Sequence, residues 1–159
     1  MSAALDGRGR RVELSAPPQR IVSLVPSTTE TLHALGLGER VVGVTRFCVR
    51  PRPWVDGLPK VGGTKDVDPD RVRALAPDLI VGNCEENTRE MFEQLDTIAP
   101  VWAAFPRDVA GAIADLEATA ALCGVPDEGA REVARIREAR AELHRWRDLK
   151  PAFTYAALI

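Results

Sequence analysis

The stretch VGGTKDVDPDRVRALAPDLIVGNCEEN, residues 61–87, contains the local signals that decide the fold. A glycine turn opens it, and Asp68 then predicts a helix N-terminus, with Pro69 at the first helical position and Asp70 one step inside. An Ala-Pro pair ends that helix. The apolar run Asp78–Gly82 follows, and it is too short for a helix and is bounded by turn residues. The stretch therefore predicts a turn, a capped helix and a buried strand in succession.

The same succession of strand and helix recurs on both sides of this stretch. Residues 1–9 predict a disordered start. The predicted strands are Arg10–Leu14, Ile21–Val25, Arg40–Val44, Asp78–Gly82 and Ala99–Ala103. Strand followed by helix, repeated four times, is typical of an α/β fold with a parallel sheet and helices on both of its faces.

Local capping signals place the other helix starts. Ser27 and Glu30 form a capping box after the strand that Pro26 ends, and Gly36 stands where a helix of this length terminates. Asn87 predicts a cap of the same kind for the next helix. Asp108 predicts the start of a long helix whose apolar positions 109, 113, 116, 120 and 123 form an inward stripe.

A second long helix is predicted from residue 127 to residue 149. At 1.5 Å per residue it is about 33 Å long, which is enough to cross a domain. Its narrow apolar stripe comprises Val133, Ile136, Ala139, Leu143 and Trp146, and the remaining surface is rich in Arg and Glu. The apolar run at 151–159 reads as a strand that requires a partner, either a second domain or a second copy of the chain in a homodimer.

Composition excludes several classes of partner. The 159 residues carry a formal net charge of −2 and only 5% aromatic residues, which argues against nucleic acid and against an anionic membrane surface. No apolar run approaches the ~18 residues of a membrane span. The first eleven residues have no hydrophobic segment of the kind found in signal peptides. Three cysteines without a C-x-x-C pair favour reduced thiols, and hence the cytoplasm.

The loops that follow the strands are the candidate site, because ligands of open parallel sheets bind beyond the carboxyl ends of the strands. These loops are Pro26-Ser27, Phe47–Arg50, Asn83–Glu86 and Ala104–Pro106, with the turn at Gly62–Lys65 beside them. None contains a phosphate-binding loop or a nucleophile elbow. His33 and His144 lie on predicted helices, away from the loops. The sequence thus predicts a protein that is not an enzyme.

Several of these loop residues allow two interpretations. Cys48 and Cys84 each follow a strand, and together with Glu85 or Glu86 they would suit a transition metal. Alternatively, the two thiols are small buried groups. In that case the two acids are favourable charges near a helix start. The metal-binding interpretation leads to an alternative function, a cytoplasmic metal sensor or enzyme. Aromatic Phe47 and Trp54 either stack on a flat ligand or cover the core, and Lys65 is either functional or simply solvated.

Three segments together resemble a known family. RIVSLVPSTTETLHALG (20–36), VVGVT (41–45) and KVGGTKDVDPDRVRALAPDLIVGN (60–83) resemble the N-terminal lobe of the helical-backbone substrate-binding proteins, which deliver cobalamin, haem or ferric siderophores to ABC importers. The resemblance implies a Rossmann-like α/β lobe at 1–126, a linking helix at 127–150, and the first strand of a second lobe at 151–159. It also implies a metal-chelate ligand between two lobes, no cofactor, and an extracytoplasmic location.

The resemblance also implies roles for individual residues. TRFCVRP (45–51) is similar to a loop of the cobalamin-type receptors, with Arg50 where those have histidine, so a corrinoid is the expected ligand. Asp70 takes the place of an acid that contacts the transporter permease. Position in the loops and in the family together predict these ligand-binding residues: Pro26, Ser27, Phe47, Cys48, Thr64, Lys65, Asn83, Cys84, Glu85 and Glu86.

Overall fold

Four parallel strands form the central sheet of the protein, of which the computed structural model describes residues 2–149 and the side chains of residues 2–143 and 145. The strands are β1 (Ser2–Leu5), β2 (Arg11–Leu14), β3 (Ile21–Ser23), β4 (Val41–Val44), β5 (Leu79–Asn83) and β6 (Val101–Ala104). The helices are α1 (Pro26–Ala34), α2 (Pro69–Ala74), α3 (Arg89–Leu95), α4 (Val109–Leu122) and α5 (Pro126–Leu149). The sheet order is β4-β3-β5-β6, which confirms the predicted α/β fold with a parallel sheet.

Both faces of the sheet are buried, because successive side chains of a strand point to opposite faces. On β5, Leu79 and Val81 belong to one apolar cluster and Ile80 to the other. Helices α1 and α4 contribute to the first cluster, and α2 and α3 contribute to the second. Two layers of helices therefore enclose the sheet, as the repeat of strand and helix predicted.

The predicted disordered start is wrong, because residues 2–14 form an antiparallel hairpin of β1 and β2. The tip of the hairpin lies along β6, the outer strand of the sheet. There the backbone N–H of Gly7 donates to the carbonyl of Ala103 at 2.6 Å, and the guanidinium of Arg8 donates to the carbonyl of Val101 at 2.9 Å. These contacts cover strand-edge groups that would otherwise be open to pairing with another chain.

Asp6 and Arg8 fix the hairpin tip. The carboxylate of Asp6, whose side chain is fully buried, accepts hydrogen bonds from the backbone N–H groups of Arg8 and Arg10, both at 2.9 Å. Arg8 pairs with Asp6 at 2.7 Å and with Asp96 at 3.0 Å, and its guanidinium lies 4.9 Å from the ring centroid of Phe92. Burial alone would lower the pKa of Arg8, but the two carboxylates raise it above its usual value.

Two of the predicted helix caps are confirmed. The side chain of Asp68 accepts hydrogen bonds from the backbone N–H groups of Asp70 and Arg71, with Pro69 at the first helical position of α2. Asp108 accepts from the backbone N–H of Gly111 at the start of α4. Gly36 follows the end of α1 with a φ of 74°, as expected of a terminating glycine.

Two other predicted caps are wrong, one by two residues and one by a single residue. Helix α1 begins at Pro26 with Val25 as its N-cap, so Ser27 lies inside the first turn and forms no cap. The fixed φ of proline suits the first helical position, so the helix starts at Pro26, two residues earlier than predicted. Helix α3 is capped by Thr88, whose hydroxyl accepts from the backbone N–H of Met91 at 3.2 Å. Asn87 is buried and makes other contacts.

The two C-terminal helices are buried only near their junction. In α4, Thr119, Ala120 and Leu122 are buried, whereas Val109 at the start of the predicted stripe is half-exposed. In α5, Val133 is buried, but all side chains from 134 to 143 are exposed. The predicted stripe residue Trp146 and the predicted strand at 151–159 lie outside the residues whose side chains or backbone are described. Within residues 2–149, no helix is both long and apolar enough to cross a membrane.

We expect Arg8→Ala to lower the free energy of unfolding by about 3 kcal/mol, because it leaves the buried Asp6 carboxylate without its counter-ion. The double variant Asp6→Asn, Arg8→Met removes both charges and should recover at least half of that loss. Urea denaturation followed by circular dichroism measures both. Arg11→Ala is the control, since Arg11 pairs with Glu13 on the exposed surface and its loss should cost less than about 1 kcal/mol. An equal loss in Arg8→Ala and Arg11→Ala would contradict this role of Asp6.

Candidate functional site

The loops that follow β3, β4, β5 and β6 leave the sheet at one edge, because the four strands are parallel. We call this the carboxyl edge and define it as residues 24–27, 45–50, 61–67, 83–87 and 105–107. The segment 61–67 joins it through two backbone hydrogen bonds, from Val61 to Val44 at 3.0 Å and from Arg46 to Gly62 at 2.8 Å. The predicted gathering of the loops is therefore confirmed.

The turn at 62–66 has a shape that depends on glycine. Gly62 has a φ of 116°, which side chains of L-residues rarely adopt, and a Cβ there would clash with the carbonyl oxygen of Asp66. The isolated pairing of Gly62 with Val67 and the N–H of Gly63 donating to the carbonyl of Asp66 at 3.4 Å close the turn. Thr64 is half-buried and Lys65 is exposed at its tip.

Asn87 connects this turn to the loop after β5. Its side-chain oxygen accepts a hydrogen bond from the backbone N–H of Asn83 at 2.9 Å, and its amide nitrogen donates to the carbonyl of Thr64 at 2.7 Å. The residue is 4% exposed. Sequence reasoning missed this role because Asn before a helix is a common cap. The sequence contained one signal of this role. Thr88, next to Asn87, can also cap the helix, so the asparagine is not needed as the cap.

The predicted residues of the β5 loop lie at the edge but do not converge. The side-chain oxygen of Asn83 accepts from the backbone N–H of Glu85 at 2.8 Å, which folds the loop back on itself. Glu85 and Glu86 are both exposed. Their carboxylates therefore contribute negative charge to the surface of the carboxyl edge.

The loop after β4 presents the largest exposed apolar side chains of the edge. Phe47 is 50% exposed and Val49 is 49% exposed. A hollow of about 510 Å³ next to Val49 is lined by Glu30, Val49, Arg50, Pro51 and Arg52. Pro26 and Ser27, in the first turn of α1, are half-buried and exposed respectively. This part of the edge thus combines apolar surface with positive charge.

Trp54 covers the core and does not belong to the carboxyl edge. Its ring lies 4.8 Å from that of His33, near the C-terminal end of α1, and it packs against one of the two apolar clusters. That end of α1 is opposite to Pro26 at the edge. Of the two aromatic residues considered for ligand stacking, only Phe47 has a suitable position.

The two loop thiols do not face one another. Cys48 is buried in the cluster of α1 and α4, where its sulfur is 3.1 Å from the hydroxyl of Thr29 and 3.2 Å from that of Thr45. Cys84 packs on the opposite face of the sheet, against the other cluster. Burial raises the pKa of the Cys84 thiol, with Asp6 and Asp115 adding to the rise and Arg8 opposing it. The interpretation of Cys48 and Cys84 as a thiolate pair is therefore wrong.

A metal site built from these groups is also unsupported. Among the side chains that the structure describes, those of residues 2–143 and 145, no three His, Cys, Asp or Glu lie close enough to hold an ion. The third thiol, Cys123, is buried, which raises its pKa to about 12. A protonated thiol is a poor metal ligand and a poor nucleophile. The alternative of a metal sensor or enzyme that uses Cys48, Cys84, Glu85 and Glu86 is not favoured.

Asp115 is a titratable group that sequence reasoning missed. It lies on α4 in a hollow of about 320 Å³ beside Phe105, whose other lining residues include Asp6 and Trp102. Burial raises the pKa of Asp115 to about 6. The only signal in the sequence was an acid within the apolar stretch of α4.

Asp70 is located in the first turn of α2, which begins just after segment 61–67 of the carboxyl edge. Its side chain is 90% exposed and is paired with Arg73, one turn further along the helix. The start of α2 therefore carries an exposed acid.

A family model described as periplasmic binding protein matches residues 21–158, and the chain belongs to that family. It is 28% identical over 124 residues to the vitamin B12-binding protein of Vibrio campbellii, a match that covers 77% of this chain and 45% of that protein. It is 41% identical over 78 residues to an uncharacterized ABC transporter substrate-binding lipoprotein of Bacillus subtilis, which covers 49% of this chain and 24% of that protein.

The fold is similar to that of a solved periplasmic haem-binding protein from Pseudomonas aeruginosa. The TM-score is 0.75 at 27% sequence identity, and the match covers 81% of this chain and 47% of that structure. The chain spans less than half the length of each of these three proteins. The family resemblance predicted from the three sequence segments is therefore confirmed.

We expect Asn87→Leu to lower the free energy of unfolding by roughly 2–4 kcal/mol, because the N–H of Asn83 and the carbonyl of Thr64 both lose a buried partner. Asn87→Asp keeps an acceptor for Asn83 but cannot donate to Thr64, so it should be intermediate at neutral pH. Glu86→Gln, at the exposed neighbouring position, is the control. Chemical denaturation measures all three, and a change of less than about 0.5 kcal/mol in Asn87→Leu would contradict the role of this amide.

Asp115 should make stability depend on pH. Its folded pKa of about 6 lies above the value of roughly 4 for an unfolded aspartate. The folded state therefore binds the proton more tightly, and the stability that protonation adds is fully present below pH 4 and is lost as the pH rises through 6.

We accordingly expect Asp115→Asn to be more stable than the native chain by roughly 1 kcal/mol at about pH 8, with a smaller difference at about pH 5. Urea denaturation at both pH values measures the difference. Asp127→Asn, at an exposed aspartate of α5, should show no such dependence. A difference that stays constant between the two pH values would contradict the burial of the Asp115 carboxylate.

Proposed function

We propose that this chain forms the N-terminal ligand-binding lobe and linking helix of a substrate-binding protein for an ABC importer. The observation that carries the proposal is the carboxyl edge of the sheet. It holds an exposed aromatic ring, exposed charges of both signs and a turn fixed by Asn87, within a chain of the periplasmic binding protein family. Side chains of this kind suit binding, and the edge offers no nucleophile with an adjacent base. Accordingly, we infer no bond chemistry for this lobe.

The proposed ligand is a metal chelate with a large, partly apolar surface, and cobalamin or another corrinoid is the first choice. A relative named for vitamin B12 binding and a structural neighbour named for haem binding support this class of ligand. Ferric siderophores belong to the same class of metal chelate. The ligand-facing groups that the structure supports best are Phe47, Thr64, Lys65, Asn83 and Glu85, which lie on three adjoining loops.

The buried position of Cys48 removes it from the proposed contact surface, whereas Cys84 remains at the rim as a half-buried neutral thiol. Pro26, Ser27 and Glu86 complete the proposed surface. None of these groups is proposed as a metal ligand. The metal is thus part of the cargo, held by its own chelating groups, and the protein recognises the periphery of the chelate.

The proposed partner of this lobe is the permease of the importer, with Asp70 as a docking group. The exposure of its carboxylate supports this role, because an exposed acid is open to contact with a partner protein. We further propose that residues 127–150 link this lobe to a second one and that the protein works outside the cytoplasm. A similar protein that is named a lipoprotein supports that location.

A lobe that supplies one wall of a cleft should bind its ligand weakly. We therefore expect cyanocobalamin, haemin or ferrichrome to bind the 159-residue chain with a Kd weaker than about 10 μM, because affinity in a cleft requires burial of most of the ligand surface. Amide chemical shifts in an isotope-labelled sample, titrated to about 1 mM ligand, measure such binding. The largest shifts are expected at residues 45–50, 62–66 and 83–87.

Phe47→Ala should weaken binding of the best of these ligands by about tenfold, since an aromatic contact contributes on the order of 1–2 kcal/mol. Leu143→Ala is the matched control, because it truncates an exposed apolar side chain on α5, away from the carboxyl edge. If all three ligands shift amides elsewhere, or if none shifts any amide at the highest concentration, this assignment of the carboxyl edge is wrong. Sub-micromolar binding by the monomer would contradict the one-wall description.

A further inference from the structure

Arg46 makes three contacts at once at the carboxyl edge. Its two terminal nitrogens donate to the two carboxylate oxygens of Asp66 at 3.0 and 3.1 Å, and its guanidinium lies 4.9 Å from the ring centroid of Phe47. Arg46 and Asp66 are 53% and 62% exposed, and Phe47 is 50% exposed. An exposed arginine ordinarily samples many rotamers, but a bidentate pair with a carboxylate selects one orientation of the guanidinium plane.

Asp66 is itself fixed, because it belongs to the glycine turn. Its carbonyl accepts from the N–H of Gly63, and a Cβ on Gly63 would clash with both its carboxylate and the guanidinium of Arg46. The backbone N–H of Arg46 also donates to the carbonyl of Gly62 at 2.8 Å. The ion pair thus contacts a turn whose backbone conformation requires glycine. It connects that turn to the loop after β4.

The contacts with Arg46 determine which kind of ligand can stack on the ring of Phe47. The guanidinium covers part of the ring, and half of the side-chain surface stays open to solvent. A cation over one face of an aromatic ring is attracted by the negative electrostatic potential of the π-system. The exposed part of the ring then favours a conjugated surface, neutral or negatively charged at its periphery, over a second cation.

We propose that Arg46 and Asp66 are positioning residues that hold Phe47 as a one-sided stacking surface for a flat conjugated ligand without positive charge at that face. This inference rests on the proposed function of the carboxyl edge. It adds to that function a specificity, since the ion pair would select against cationic ligands. Among the described side chains, those of residues 2–143 and 145, no other ion pair links two loops of the carboxyl edge.

The competing explanation is that the pair of Arg46 and Asp66 is an ordinary exposed ion pair with no effect on the ring. The chain offers a matched control in Arg52 and Asp56, which form an exposed pair at 3.5 Å four residues apart in the neighbouring loop. Removal of Asp56 takes away the same charge from a similarly exposed position. A difference between Asp66→Ala and Asp56→Ala therefore reports on the ring and its support rather than on net charge.

The first experiment requires no ligand. The ring current of Phe47 should move the δ-proton resonances of Arg46 upfield, and Phe47→Leu identifies that displacement. We expect Asp66→Ala to abolish most of it and Asp56→Ala to leave it unchanged. Asp66→Asn, which keeps one acceptor oxygen, should retain part of it. If the resonances are the same in Asp66→Ala as in the native chain, Asp66 does not position the arginine and the inference is overturned.

The second experiment uses haemin as the flat conjugated probe, titrated into the 159-residue chain and followed by its absorption band. Asp66→Ala should weaken binding by about three- to tenfold, and Asp56→Ala should not. In a Phe47→Ala background, Asp66→Ala should have no further effect, because its role passes through the ring. An equal effect of Asp66→Ala in both backgrounds would overturn the inference. If the native chain binds no haemin, the proposed function fails for this ligand, and the resonances of Arg46 alone decide the positioning role.

Discussion

The parallel pairing of β3 with both β4 and β5 is the constraint on which the rest of the structure depends. A parallel strand can join its neighbour only through a crossover that returns the chain to the same end of the sheet. Each crossover here is a helix that covers one of the two faces, so burial of the sheet and gathering of the loops have one cause. The carboxyl edge is thus a consequence of the topology, and its chemistry is set by the few residues at which each strand ends.

Backbone pairing alone does not hold those loops in place, because they lie beyond the sheet. Two side-chain connections do so from opposite sides of the glycine turn. The amide of Asn87 attaches the turn to the end of β5, and the ion pair of Arg46 with Asp66 attaches it to the loop after β4. A surface assembled in this way is ordered before a ligand arrives, which reduces the entropy lost on binding. This order suits the binding role that we propose for the lobe.

The parts of the fold that could be predicted from the sequence are those with strong local signals. Asp68 followed by Pro69, and the buried strand after it, were predicted within one or two residues because the capping and the apolar run act locally. The hairpin at residues 2–14 was missed because its order comes from contacts with β6 and with Asp96, which are distant in sequence. Likewise, no local pattern distinguishes a capping asparagine from one that connects two loops.

The candidate site was predictable to a similar extent. The gathering of the loops follows from the order of strands, whereas the exposure of Phe47 and the separation of Cys48 from Cys84 depend on which face each residue takes beyond its strand. The hairpin has a further consequence, for the order of folding. The hydroxyl of Ser2 donates to the carbonyl of Leu122, across 120 residues, and Arg8 reaches Asp96 across 88. Contacts of such long range close late because of loop entropy. During synthesis the hairpin of β1 and β2 is made before β6 and α4, so it can form these contacts only after both of them have been made.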